Sequence, residues 1–376
     1  MSRTTLALLS TYPPTQCGLA TFTAALYKQL SRSPGHVGVI SVLDAGCEGY
    51  HGREVVGHLL NGSPASAAAA VSTMNEFQAV IVQHEYGIYG GPDGVDVVEI
   101  VEALTPPTIM VLHTVLLEPT RSQREILERL VASADIVVTM AETARRRLVE
   151  QYGVDPAAVT VIPHGAIDHR GVEVERSDGA RPVILTWGLL GPGKGIEWAI
   201  AAMPELRDLH PRYLVVGKTH PKVLDRDGEQ YRHALAAQAA ALGVEDLVEM
   251  DESYLAVPEL ARLVASADVV LLPYDSPDQV TSGVLIEAVA AGRPVVSTGF
   301  PHAVELLTPG SGIIVPQRDP AAVTAALRRV LTEPGLAEKM SAQAAAQAPS
   351  LVWSAVGQRY RELASGLVTR RLVAAS

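Results

Sequence analysis

The sequence predicts an α/β protein made of two doubly wound, parallel-sheet domains. Three observations predict it. Short apolar, β-branched runs alternate with longer helical patterns. The rhythm halts at a polar stretch, Asp168 to Pro182, and restarts at Val183. One phrase occurs in each half, LVASADIVV over residues 130–138 and LVASADVVL over 263–271, each feeding a buried strand from a helix that ends at Ser-Ala-Asp. Two copies indicate two similarly built units rather than a solenoid.

In chain order, strands are expected at Leu6 to Ser10, Val37 to Val42, Ala79 to Gln83, Thr108 to His113, Ile136 to Met140 and Val159 to Pro163. The second half supplies Val183 to Trp187, Arg212 to Val216, Val248 to Met250, Val269 to Pro273, Val295 to Thr298 and Gly312 to Val315. The domains are expected at residues 1–170 and 183–350, joined by a linker at 171–182. A terminal helix over 351–376 carries an apolar face of Trp353, Val356, Tyr360, Leu363 and Leu367. It packs either on its own domain or back on the first.

The 376 residues suit two cores of ordinary size. A net charge of −11, with no clustered Lys or Arg, argues against nucleic acid as the partner. Cys17 and Cys47 make neither a disulfide framework nor a zinc set, so a reducing cytoplasm is expected. No window approaches 18 consecutive apolar residues, so no transmembrane segment is expected, although peripheral contact with a membrane is compatible with the sequence.

Two segments carry the chemistry. Val183 to Trp198 reads as a strand, a glycine-rich loop and a helix start, in which backbone amides and a helix N-terminus approach a phosphate closely. Gly188 to Lys194 fits most of a Walker A pattern, but Gly195 stands where Ser or Thr must hold Mg²⁺. Gly193 and Lys194 are therefore read as phosphate contacts without that ion. In Pro273 to Val296, a strand end leads through a polar loop to a helix with Ser282 as N-cap and Gly283 behind it. Glu287 lies in the otherwise apolar turn that follows, where a carboxylate needs a partner such as a ribose diol. Its competing reading is an exposed helix face.

The order of these segments resembles the retaining glycosyltransferases of family 4. The matching pieces are Pro13-Pro-Thr-Gln-Cys-Gly18, His113 after a strand, Ile162-Pro-His-Gly165, Gly188 to Gly195, Ser282 to Glu287 and Ala291 to Val296, with the Trp353-led helix at the end. The resemblance implies the GT-B fold, two Rossmann-like doubly wound parallel-sheet domains facing a cleft. It implies a hexose-type sugar moved from a nucleoside diphosphate sugar to an acceptor hydroxyl, with retention, and with neither metal nor cofactor. The acceptor is a small molecule, a saccharide or a lipid-linked group. Carried over by position, Lys194 holds the diphosphate, Glu287 the ribose, Gly18 shapes the phosphate pocket, and His113 touches the donor sugar.

Two positions depart from the family pattern. Leu189 replaces an Arg that commonly pairs with the lysine on the diphosphate, and Gln279, beside Asp278, replaces a Glu facing the sugar. Lys218, delivered with Thr219 and His220 to a strand end, is expected to replace the missing cation. In the first half, Gln83 to Gly91 gathers His84, Glu85 and Tyr86 into a loop expected on the acceptor side. His302 and Glu305 line the sugar pocket or cap a helix, and base contacts are expected around Asp251 to Tyr254. Asp225-Arg-Asp227 spells a metal-binding carboxylate pair but follows the wrong strand. The alternatives are a sugar-nucleotide epimerase and a weakly catalytic, nucleotide-sugar-binding partner subunit. A dehydrogenase is disfavoured, since Pro-Pro-Thr-Gln-Cys-Gly lacks the spaced glycines of a dinucleotide fingerprint.

Overall fold

The structure is a computed structural model that describes residues 4–33, 35–44, 46–47, 49–172, 181–275 and 279–374. The chain forms two compact units, one running to Gly165 and including Trp353 onward, the other from Ala166 to Val352.

The first unit holds β1 (Leu6–Ser10), β2 (Val37–Leu43), β3 (Val55–Leu60), β4 (Ala79–His84), β5 (Thr108–Leu112), β6 (Ile136–Thr139) and β7 (Val159–Val161). They form one parallel sheet in the order β3-β2-β1-β4-β5-β6-β7. The second unit holds β8 (Val183–Trp187), β9 (Arg212–Val216), β10 (Val248–Asp251), β11 (Val269–Leu272), β12 (Val295–Thr298) and β13 (Gly312–Val315), parallel in the order β10-β9-β8-β11-β12-β13. Each sheet reverses its winding once, between β1 and β4 and between β8 and β11. Such a reversal opens a crevice at the carboxyl ends of the strands, where doubly wound sheets take their ligands.

The apolar runs form strands because both sheet faces are covered: β1, β2 and β4 are buried along their whole lengths. The strand β3 is absent from the sequence reading. It lies at the sheet edge, is mostly half-buried and contains Gly57 and His58, so it lacks the continuous apolar run of its neighbours.

In the second unit Ile196, Ile200, Leu206, Leu235 and Leu327 belong to one core cluster, and Leu285, Ile286, Val289, Phe300 and Leu307 to another. Each such side chain stabilises the fold by roughly 1.5–3 kcal/mol on full burial. The terminal helix, Trp353–Ala374, buries Val356, Tyr360, Ala364 and Leu367 in the same cluster as Leu8, Phe22 and Ile81. Gly357 lets it approach the first helix, since a Cβ there would stand 2.4 Å from that of Gln29.

The units part at Gly165, ahead of the 171–182 stretch read as a linker. Ala166 pairs with Val352 and donates its N–H to Leu351 O, and Ile167 N–H reaches Glu287, which ties this segment to the second unit. Residues 173–180 of that stretch lie outside the described residues.

Candidate functional site

In the second unit, the loop after β8 and the loop after β11 flank the reversal point. Gly195 has φ +64°, and a Cβ on it would fall 1.8 Å from Pro273 O, so only glycine lets the two loops cross. Asp275 N–H donates to Gly193 O, and Asp275 Oδ2 accepts from Trp198 Nε1 at 3.1 Å and Arg318 Nε at 3.2 Å. These bonds brace the glycine-rich loop against the loop that follows β11.

Lys194 projects from the braced loop over the ring of Tyr274, with Nζ 4.4 Å from the ring centroid. Burial pulls its ammonium below the ordinary lysine value. Among the described residues no carboxylate pairs with it. A desolvated cation over a π face is favourable by about 2 kcal/mol, which only partly offsets the hydration it gives up. Asp278, the sequence neighbour of Gln279, lies outside the described residues.

The helix Gly283–Ala290 begins beside this lysine's loop. Ser282 caps it, with Oγ accepting from Leu285 N–H at 3.2 Å and its carbonyl from Ile286 N–H at 3.2 Å. Gly283 and Val284 N–H are then left for an anion, because the first turn of a helix has no acceptors of its own. Behind the cap, Ser282 N–H donates to Nδ1 of buried His302 at 2.9 Å, so the imidazole proton sits on Nε2. Gln279 is half-buried, donating Nε2–H to Thr281 O and accepting His302 N–H on its own carbonyl.

Glu287 already has partners within the unit. Ile167 N–H reaches both carboxylate oxygens, at 2.9 and 3.1 Å, and His169 Nε2 stands 3.2 Å from Oε2. The compensation that burial of this carboxylate demands thus comes from the chain itself and not from a ribose alone, while lone pairs stay open.

Lys218 is exposed, and its carbonyl accepts Leu190 N–H at 2.8 Å, which holds it against the glycine-rich loop. His220 lies close enough for the charge of Lys194 to lower its pKa, after desolvation and Lys222. The Asp225–Asp227 segment sits in a helix where Arg226 pairs with Asp227 at 2.6 Å. No group of three or more His, Cys, Asp or Glu side chains among the described residues is placed to hold a metal.

In the first unit, Cys17 caps the helix that Gly18 opens, its Sγ accepting from Ala20 N–H. A Cβ on Gly18 would meet nothing within 4 Å, so the helix start is open on that side. His84 differs from its reading as a loop residue. It ends β4, is fully buried, and neither ring nitrogen is hydrogen-bonded. Tyr86 packs against it with its hydroxyl donated to Gln123 O, so His84 has no free surface to offer an acceptor and Tyr86 has little. Glu85 is half-buried, with Oε1 on Tyr86 N–H and Oε2 receiving the Thr114 hydroxyl.

His113 follows β5, and its Nε2 lies 2.9 Å from Gln83 Oε1. Burial first, then His164 and His84, depress its pKa to about 3. The contacts of Trp198, Asp275 and Arg318 carried no signal in the sequence, since they join positions 77 and 43 residues apart. No helix is long and apolar enough to cross a membrane among the described residues.

Residues 17–170 match the family model for Glycosyltransferase Family 4, and residues 181–333 that for Glycosyl transferases group 1. A D-inositol 3-phosphate glycosyltransferase from Kineococcus radiotolerans is 30% identical over 260 residues, covering 63% of this chain and 58% of that protein. This chain therefore spans less than two thirds of that relative's length. Among solved structures, sucrose-phosphate synthase from Thermosynechococcus elongatus matches with a TM-score of 0.77 at 18% identity, over 100% of both chains. Anabaena Alr3699/HepE in complex with UDP and glucose matches at 0.76 and 18%, over 96% of this chain and 99% of that one. These likenesses establish the GT-B fold.

Proposed function

Since the chain belongs to the group 1, family 4 glycosyltransferases, we propose that it moves a hexose-type sugar from a nucleoside diphosphate to an acceptor hydroxyl, with retention of configuration. One observation carries the donor assignment: Lys194 is a half-buried cation with no carboxylate partner among the described residues, on the loop beside the open N-terminus of the Gly283–Ala290 helix. A diphosphate supplies the missing negative charge. Its oxygens would take the Lys194 ammonium and the Gly283 and Val284 N–H groups, and Lys218 would add a second cation from the solvent side.

In this reading the largest contribution to rate is stabilisation of the departing diphosphate by charges already in place. In the same reading those charges are protein groups, and the transfer is metal-independent. Glu287 would offer its remaining lone pairs to the ribose, while the family resemblance gives Gly18 to the phosphates and His113 to the sugar. Nucleotide-sugar substrates and the free thiols of Cys17 and Cys47 suit a cytoplasmic setting. The acceptor is a small molecule, a saccharide or a lipid-linked hydroxyl.

Thermal-shift titration with UDP-, GDP-, ADP- and dTDP-glucose tests the donor assignment, because a ligand of the folded state alone raises stability by mass action. One donor should raise Tm in the wild type and not in Lys194→Ala. No shift with any of them would reject the reading.

Leu189 and Gln279, together with the engaged Glu287, favour a second reading, a binding subunit with little turnover. Tight donor binding without transfer to any of a panel of acceptors supports it. Formation of an epimer from the donor alone would indicate the epimerase instead.

A further inference from the structure

The hydrogen-bond chain behind His113 leaves no freedom in its proton positions. It starts at Leu19 O, a carbonyl that can only accept, 2.7 Å from Thr23 Oγ1. Thr23 therefore spends its single proton there and turns a lone pair to Gln83 Nε2, 2.8 Å away in the buried interior. That fixes the Gln83 amide with Oε1 toward His113 Nε2 at 2.9 Å, and an amide oxygen can only accept. His113 must carry its proton on Nε2. Its Nδ1 is left as a bare lone pair, and it is not among the buried polar atoms that lack a partner.

We propose that Thr23 and Gln83 are positioning residues that lock His113 as the Nε2–H tautomer, so that Nδ1 is held as a fixed acceptor toward the sugar that the family resemblance assigns to His113. The proposal rests on the sugar-transfer reading for the sugar, and on the hydrogen-bond chain alone for the tautomer.

The surroundings keep the ring neutral. The titratable groups facing it are His84 at the end of β4 and His164 after β7, and both disfavour a proton on His113. His164 points Nδ1 at Gly165 O, 2.7 Å away, so its own proton is committed there. Phe22 meets His113 edge-on with ring centroids 4.9 Å apart and supplies no charge. The nearby carboxylate of Glu85 is taken up by Thr114 and Tyr86 N–H. A protonated His113 would become a donor on both nitrogens and lose its acceptor.

Nitrogen NMR on protein labelled at histidine, with His113→Asn to assign the resonance, reads the tautomer directly. The wild type should show a protonated Nε2 and a bare Nδ1 with no titration between pH 5.5 and 8, since desolvation and the neighbouring His164 and His84 depress its pKa to about 3. UDP-glucose should move the Nδ1 signal without protonating it, and UDP alone should leave it in place. Thr23→Val, which frees the amide to turn, should yield a mixture of tautomers, and Thr23→Ser should restore one. Gln83→Glu should make His113 titrate near neutrality and add that ionisation to the pH profile of transfer.

A protonated Nδ1 in the wild type, titration near the ordinary value, or one unchanged tautomer in folded Thr23→Val would overturn the lock. An Nδ1 signal that ignores UDP-glucose, while calorimetry shows it bound, would overturn the sugar contact. If the tautomer is as stated and no sugar nucleotide binds, the sugar-transfer reading fails and the lock stands.

Discussion

Glu287 directs both carboxylate oxygens at a single backbone N–H, that of Ile167, from 120 residues away. His169 adds a third contact at 3.2 Å, and both carboxylate and imidazole are largely buried, at 13% and 7% exposure of their side chains. The carboxylate thus holds the segment after Gly165 on the second unit before any ligand is considered.

Replacing Glu287 should therefore lower stability as well as nucleotide affinity. Glu287→Leu strips the partner from a backbone N–H and an imidazole, at about 1–3 kcal/mol for each buried group left unmet. Glu287→Gln keeps an acceptor for Ile167 and should recover much of the loss in urea melts. The ribose contact separates from this anchoring role through the ligand. Wild type should prefer UDP over 2′-deoxy-UDP, and Glu287→Gln should lose much of that preference; an equal preference in both would leave the anchoring role alone.

Lys194 should trade stability for binding. Its pKa is lowered by burial, so at neutral pH the folded state carries a charge it would shed more readily than the unfolded chain does. Between the folded and unfolded pKa values the unfolded chain binds more protons, and this destabilising contribution fades as pH rises through that window. Lys194→Met should melt at or above the wild-type temperature without ligand. It should bind the diphosphate about 10- to 100-fold more weakly, the loss expected of one charge-assisted hydrogen bond. A drop in Tm combined with unchanged affinity would show that the lysine serves the fold instead.

Local signals made much of the second unit legible: the glycine-rich loop with Lys194, the Ser282 cap and the strand rhythm all depend on residues close in sequence. What stayed illegible is long-range. Nothing in the spacing foretold that Trp198 and Arg318 would meet at Asp275, or that Ile167 would occupy Glu287. The polar residues after His84 suggest a loop, but β4 runs on through it and hydrogen-bonded pairing with β5 buries it. Edge strand β3 escaped for the opposite reason, since half-burial permits glycine and histidine within a strand.

The glycines of the loop after β8 should differ sharply in tolerance. Gly193 has φ +89° with nothing within 4 Å of a Cβ, whereas at Gly195 the same atom would fall 1.8 Å from Pro273 O. Gly193→Ala should cost only the left-handed backbone penalty, about 1–2 kcal/mol. Gly195→Ala must in addition push the two loops apart, and should lose more stability and the donor-induced Tm shift together. Equal melts for the two variants would contradict the crossing.

Three histidines with depressed pKa values make the first unit acid-sensitive. Desolvation depresses His84 and His164 to about 4, and, with its histidine neighbours, His113 to about 3, from an ordinary 6.5. All three are neutral when folded, whereas the unfolded chain takes up protons below 6.5. Stability should therefore be complete above that value and decline as pH falls toward about 4. Each histidine adds a slope approaching roughly 1.4 kcal/mol per pH unit. His84 offers the cleanest test, because its ring makes no hydrogen bond that a substitution would break. His84→Leu should flatten the dependence of unfolding free energy on pH between 6 and 4.5 by about one proton's worth. An unchanged slope would mean that His84 is already charged, or exposed, in the folded protein.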